Sequence, residues 1–176
     1  MKHFRAATTH REDQQKMPCV IMGNKCWKSI PDQMKPLKDR FNVVLSRREK
    51  EATDSNVIVR NSIEQALDEL SEMVDRGKIE RIWNIGGGDI YRWALDNDRV
   101  RSIVLTKVHK VFPEANVKMA SIPWENFVEV QRSELMEEKG LSYSFHVFHR
   151  RGLEDVFALD ASLPFIKGAP FSHPAH

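Results

Sequence analysis

Short apolar segments alternate with helical segments along most of this chain, and that alternation limits its fold more than any other feature. Strands that alternate with helices build a mostly parallel, doubly wound sheet, because each helix carries the chain back across the sheet. We therefore predict an α/β fold of three layers. The strands are predicted at 19–22, 41–45, 57–59, 81–85 and 102–108, and the helices at 1–10, 25–30, 62–77 and 89–95.

The helix predicted at 62–77 has the clearest signals. Ser62 with Gln65 fits a capping box, in which side chains satisfy the free N–H groups of the first turn. Its apolar residues fall on one helical face, and Gly77 ends it. Further along, the predicted strands 127–135 and 142–149 flank Glu138, Lys139 and Gly140, a spacing typical of an antiparallel hairpin.

Charge and cysteine content narrow the class of protein. The 27 Lys and Arg residues nearly balance the 25 Asp and Glu residues, and the net charge of +2 argues against a main role in binding nucleic acid or a membrane. Cys19 and Cys26 are too few for a disulfide framework and indicate free thiols. No apolar run is long enough to span a bilayer, and residues 1–16 lack a signal core. We expect a cytoplasmic protein.

Three predicted strand ends carry residues suited to phosphate groups. In an open parallel sheet, ligands bind at the carboxyl ends of the strands. The glycines at 86–88 stand between a strand and a helix, where a backbone can approach a pyrophosphate at the helix N-terminus. Lys25 follows another strand end, and Ser46 with Arg47 and Arg48 follows a third. Each could be an ordinary turn or a solvated basic loop, but together they suit a dinucleotide with three phosphates, although no GxGxxG motif is present.

Four runs in one order resemble the dihydrofolate reductase family. They are VIMGNKCWKSIPDQMKPLKDRFNVVLSRR, IERIWNIGGGDIYRWAL, VRSIVLTKV and EEKGLSYSFHVF, and order and spacing agree over about residues 1–151. The resemblance implies a three-layer fold that closes with an antiparallel hairpin. It also implies a monomer that reduces 7,8-dihydrofolate to tetrahydrofolate with NADPH, with hydride transfer to C6 and a carboxylate helping to protonate N5 through water.

The same resemblance implies a role for each matching position. Phosphates of NADPH would be held at the strand ends that carry Lys25 and Ser46. The pyrophosphate would lie at the glycine turn, through a cis Gly86–Gly87 bond, with Tyr91 near the nicotinamide. Folate would lie in an apolar pocket, with Arg40 paired to its α-carboxylate and Thr106 bonded near the pterin. The cofactor residues are Lys25, Cys26, Ser46, Arg47, Gly87, Gly88, Asp89, Ile90 and Tyr91. The substrate residues are Phe4, Ile30, Pro31, Leu37, Arg40 and Thr106.

The chain departs from the family pattern in several places. Cys26 replaces the usual threonine, and Asn84 replaces an aliphatic residue in a strand expected to be buried, where an unpaired amide would cost a few kcal/mol. The family's first central strand and its catalytic carboxylate would precede Met1, so no catalytic residue is predicted and the activity of residues 1–176 is doubtful. Two alternatives stay open: a non-catalytic short isoform, and a related reductase of a riboflavin precursor, which Arg40 disfavours.

The last residues do not continue the pattern. We predict a reductase-like domain over 1–151 and a disordered tail over 152–176 that is unrelated to the family. One alternative for the tail is that 155–160, which is apolar and ends in an acid, replaces the missing central strand.

Overall fold

The structure is a computed structural model that describes residues 2–48, 54–153 and 171–172, the last two by their backbone. It consists of two compact units, Met1–Tyr91 and Arg92–His176. The first contains a parallel sheet and the second an antiparallel one. The predicted α/β class, with its mostly parallel sheet and C-terminal antiparallel hairpin, is confirmed.

The sheet of the first unit has four parallel strands in the order β3-β2-β1-β4. Every predicted strand and helix of this unit is present, with ends that shift by up to two residues. The strands are β1 (Met17–Gly23), β2 (Phe41–Leu45), β3 (Val57–Arg60) and β4 (Ile79–Asn84). The helices are α1 (Lys2–Thr9), α2 (Asn24–Ser29), α3 (Ile63–Asp75) and α4 (Gly88–Asp96), and α4 runs on into the second unit.

Both faces of β1 are buried, which explains why this strand is apolar along its length instead of alternating. Cys19 and Ile21 pack in one cluster with Leu70 of α3, whereas Val20 and Met22 belong to a second cluster on the other face. The N-cap bond of the predicted capping box is present, because Gln65 N–H donates to Ser62 Oγ at 3.2 Å. A sheet buried on both faces leaves its strand ends as the place for ligands.

The second unit is built on a long central strand. Its strands are β5 (Ser102–Val108), β6 (Phe127–Ser133), β7 (Met136–Glu138), β8 (Leu141–Arg150) and β9 (Phe171–Ser172). They are ordered β5-β8-β6-β9, and β7 also pairs with β8. The predicted hairpin is present: Lys139 and Gly140, with φ of 53° and 72°, form the two-residue turn between β7 and β8.

The strand predicted at 127–135 ends earlier than expected. β6 stops at Ser133, whose Oγ accepts the Phe145 N–H at 2.9 Å and donates to Glu134 O at 2.9 Å. The serine side chain thus takes the place of a backbone partner and ends the ladder. A shift of register between Glu129 and Gln131 bends the same strand before this point.

Within the described ranges, β4 pairs only with β1 and β5 pairs only with β8. Residues 154–170, including the proposed replacement strand 155–160, lie outside the described residues, so that alternative stays a prediction. In the part of the chain that is described, no helix has the length and apolar character needed to cross a bilayer.

Candidate functional site

The glycine turn joins β4 to α4 in a form that only glycine allows. Gly86 is buried with φ of +100°, and a Cβ there would lie 2.9 Å from the ring of Tyr91. The Gly86–Gly87 peptide bond is cis, as the resemblance implied. Gly87 is exposed, and nothing lies within 4 Å of the position its Cβ would take. The turn is therefore closed by Tyr91 on one side and open at the start of the helix.

The end of β1 lies directly against this turn. Gly23 N–H donates to Gly86 O at 2.7 Å, and a Cβ on Gly23 would be 3.2 Å from the side chain of Ile90. Two of the three strand ends that were predicted to hold phosphates are therefore brought together. A helix N-terminus beside such a turn presents free N–H groups and a positive dipole end to an anion.

Asn84, which the sequence marked as a possible unpaired amide, uses both ends of its side chain. Gly86 N–H donates to Asn84 Oδ1 at 3.0 Å, and Asn84 Nδ2 donates to Ile90 O at 3.2 Å. The side chain is half-buried rather than fully buried. The expected penalty of a few kcal/mol therefore does not apply, because the amide is bonded to the turn and the helix that it joins.

Cys26 lies beside the same turn on α2. Its Sγ is 3.7 Å from Ile85 O, in position to donate a weak S–H hydrogen bond to the end of β4. Burial raises the pKa of this thiol, and burial with the neighbouring Cys26 raises the pKa of Tyr91. Both groups therefore stay neutral at physiological pH. Lys25, one residue earlier, is exposed.

The third phosphate-type strand end is at the carboxyl end of β2. Ser46 is buried, and its Oγ accepts the Arg48 N–H at 3.3 Å, while its own N–H donates to Arg60 O at 2.8 Å. The loop that carries Arg47 is therefore held by its neighbours, and both Arg47 and Arg48 are exposed. β2 is adjacent to β1 in the parallel sheet, so this basic end belongs to the same edge as the glycine turn.

Arg40 lies near α1, away from the solvent. It is only 5% exposed, and its guanidinium donates to Thr8 Oγ1 at 2.7 Å and to Lys38 O at 3.0 Å. Its carbon Cζ is 6.0 Å from the centre of the Phe4 ring. Burial and the nearby Arg5 lower the pKa of Arg40, and Asp39 opposes them. The described residues accept from two of its five N–H groups, so its planar fork can still donate to a carboxylate.

The loop before Arg40 is held by Asn42 of β2. This side chain is fully buried and makes three hydrogen bonds to backbone: it accepts Leu37 N–H at 3.1 Å, and it donates to Leu37 O at 3.0 Å and to Arg40 O at 2.8 Å. The amide thus fixes both ends of the segment between Leu37 and Arg40. Sequence reasoning missed Asn42 as a candidate, although an amide in the apolar strand FNVVL was the signal.

The other residues predicted to bind substrate differ in exposure. Leu37 is buried, Ile30 is half-buried against the same core cluster as Val20, and Pro31 is exposed. Thr106 belongs to the second unit, where it is exposed on β5 opposite Phe145. Gly88, Asp89 and Ile90 form the first turn of α4. No cluster of His, Cys, Asp or Glu among the described residues is arranged to hold a metal ion.

Comparison with known proteins identifies a single family. The family model described as Dihydrofolate reductase matches residues 1–150. A Caenorhabditis elegans protein named "Putative dihydrofolate reductase" is 41% identical over 152 residues, which cover 82% of this chain and 80% of that protein. The dihydrofolate reductase of Rattus norvegicus is 32% identical over 155 residues, with coverage of 85% and 82%. That of Candida albicans is 33% identical over 144 residues, with coverage of 80% and 71%.

Proposed function

Because this chain belongs to the dihydrofolate reductase family, a family of oxidoreductases, we propose that it reduces 7,8-dihydrofolate to tetrahydrofolate with NADPH as the reductant. The observation that supports this most directly is the turn at Gly86 and Gly87, which is open at the start of α4 and lies against the end of β1. We also propose that residues 1–151 form the reductase-like domain, and that the protein acts as a cytoplasmic monomer.

The residues around the glycine turn fit a dinucleotide. The open space at Gly87 leaves room for a pyrophosphate beside the N-terminus of α4, formed by Gly88, Asp89 and Ile90. Lys25 and Cys26 at the end of β1, with Ser46 and Arg47 at the end of β2, would hold the other phosphates, and Tyr91 would border the nicotinamide. NADPH supplies the hydride when it is bound. The chain's own residues bind and orient it, which is the usual division of work in cofactor enzymes.

The substrate side of the proposal rests on Arg40. The described residues bond two of its five N–H groups, and a carboxylate anion matches the planar fork of the guanidinium. The α-carboxylate of folate is such an anion. Phe4, Ile30, Pro31 and Leu37 would enclose the rest of folate.

The test of the cofactor assignment compares NADPH with NADH. We expect NADPH to be strongly preferred, because only it carries a 2′-phosphate for the exposed Arg47. Arg47→Ala should remove a charged hydrogen bond of about 1.5–3 kcal/mol and so reduce the preference by about tenfold or more. Arg99→Ala, which changes another exposed arginine, is the control and should leave the preference intact. Equal rates of the unaltered protein with both cofactors would show that the 2′-phosphate assignment is wrong.

A second test concerns the proton donor. The resemblance places the catalytic carboxylate one helical turn before Phe4, and no carboxylate among residues 1–176 matches it by motif. We therefore propose that residues 1–176, assayed by themselves, bind NADPH but turn over slowly, since general acid catalysis is worth ~10²–10⁴-fold. A version with the family's preceding segment should recover that factor. Rapid turnover by residues 1–176 would mean that another group delivers the proton to N5.

A further inference from the structure

We infer that Asn84 is a positioning residue for the cofactor, which holds the glycine turn and the first turn of α4 in one fixed arrangement. The inference rests on the proposed function, because it takes the turn as the pyrophosphate site. It adds a residue that lies behind the site and acts through Gly86 and Ile90.

The geometry determines which way the amide points. Asn84 Oδ1 is the end that accepts the Gly86 N–H at 3.0 Å, and Asn84 Nδ2 is the end that donates to Ile90 O at 3.2 Å. An N–H needs an acceptor and a carbonyl needs a donor, so the reversed amide would lose both bonds. One side chain at the end of β4 is therefore bonded to the turn and to the helix at the same time.

The turn has a particular need for such a connection. Gly86, Gly87 and Gly88 follow one another, and each glycine loses more backbone entropy on ordering than any other residue would. Gly88 is also the first residue of α4, where it weakens the start of the helix. The bond from Asn84 to Ile90 O fixes the helix two residues beyond Gly88. The effects of replacing Asn84 and of replacing Gly88 should therefore be coupled in free energy.

Replacing Asn84 should affect the free protein as well as its complex with NADPH. A pyrophosphate binds well to N–H groups that are already in place, because ordering them on binding reduces affinity. A leucine at position 84 keeps the branch at Cγ, with bulkier methyl groups, but can neither accept from Gly86 nor donate to Ile90. Replacing Asn84 should thus loosen the turn without disturbing Arg47 or Arg40, which lie on other segments.

The test measures both the turn and the cofactor. In the free protein, Asn84→Leu should raise the amide hydrogen exchange rate of Gly86 about tenfold or more. Asn84→Asp keeps the acceptor for Gly86 and should raise the rate less. NADPH, followed by its fluorescence, should bind about tenfold more weakly to Asn84→Leu. In a Gly88→Ala background the loss of affinity should be smaller, because alanine stiffens the start of α4.

The matched control is Asn97→Leu at the other end of α4. Asn97 Nδ2 donates to Trp93 O at 2.8 Å on the exposed surface, so this change also removes an amide–carbonyl bond from the helix. It should alter neither Gly86 exchange nor NADPH affinity. If the unaltered protein binds no NADPH, the proposed function is overturned. If it binds NADPH and Asn84→Leu binds it equally well with Gly86 still protected, the inference alone is overturned.

Discussion

The two units place polar side chains in their interiors in different ways. In the first unit, Asn42 and Asn84 bond to the backbone and fix the shape of loops. In the second, four side chains form a connected group: His146 lies between Glu129 and Ser144, at 2.6 Å and 2.7 Å, and the exposed His109 is 2.9 Å from the same serine. Amides do not titrate, whereas the carboxyl group of Glu129 does. The bonds of Asn42 and Asn84 should therefore persist over a wide pH range, and those of Glu129 should weaken in acid.

The direction of the hydrogen bonds in the second unit follows from Glu129. Its carboxylate accepts from Arg132, and this bond, followed by that from His146, holds its pKa below the usual value. An ionised carboxylate can only accept, so His146 Nδ1–H donates to it. Ser144 Oγ lies within hydrogen-bond distance of both His146 Nε2 and His109 Nε2. A chain of four side chains thus connects exposed His109 to Glu129.

The largest loss of stability is expected on replacing Asn42, and this change tests the role of buried amides in the first unit. Asn42→Leu removes three hydrogen bonds and leaves buried backbone groups without partners, so the free energy of unfolding should fall by about 3 kcal/mol. Urea unfolding measures this. Since Asn42 holds the loop of Arg40, the KM for dihydrofolate should also rise more than the NADPH affinity falls.

The control for this prediction is again Asn97→Leu, which removes one exposed amide bond and should cost less than 1 kcal/mol. Where Asn42→Leu is too unstable to assay, Asn42→Asp keeps the acceptor for Leu37 N–H and permits the kinetic measurement. Equal unfolding midpoints for Asn42→Leu and the unaltered protein would show that the amide does not hold this loop.

A change of pH should have an intermediate effect on the free energy of unfolding, and Glu129 of the second unit should be its source. The folded-state pKa of Glu129 is lowered from 4.5, so the folded protein binds its proton less readily than the unfolded chain. The stability gained is complete above 4.5 and is lost as the pH falls through the lower folded-state value. The stability difference between the unaltered protein and Glu129→Gln should shrink over that acid range. A difference that is constant with pH would remove Glu129 as its source.

The sequence predicted backbone elements better than it predicted the polar interior. Strand β2 and strand β5 were predicted residue for residue, since apolar runs between turn signals determine such strands. Asn84 was taken for a departure and Asn42 was missed, because a sequence shows that an amide lies in a strand but not which backbone groups reach it. The chain through Ser144 likewise depends on the pairing of β5, β6 and β8, which brings distant residues together.

The smallest effect is expected from a charged pair on the surface of the first unit. Arg60 of β3 and Glu69 of α3 form two hydrogen bonds of 2.6 Å and 2.7 Å, but both side chains are partly exposed, at 27% and 36%. Exposed pairs usually contribute 0.2–1 kcal/mol, and a bidentate one should lie at the top of that range, about 1 kcal/mol, falling with added salt. A double-mutant cycle of Arg60→Ala and Glu69→Ala, at low and high salt, measures the coupling. A coupling near 3 kcal/mol would contradict the comparison, because a charged pair would then stabilise the first unit as much as its buried amide does.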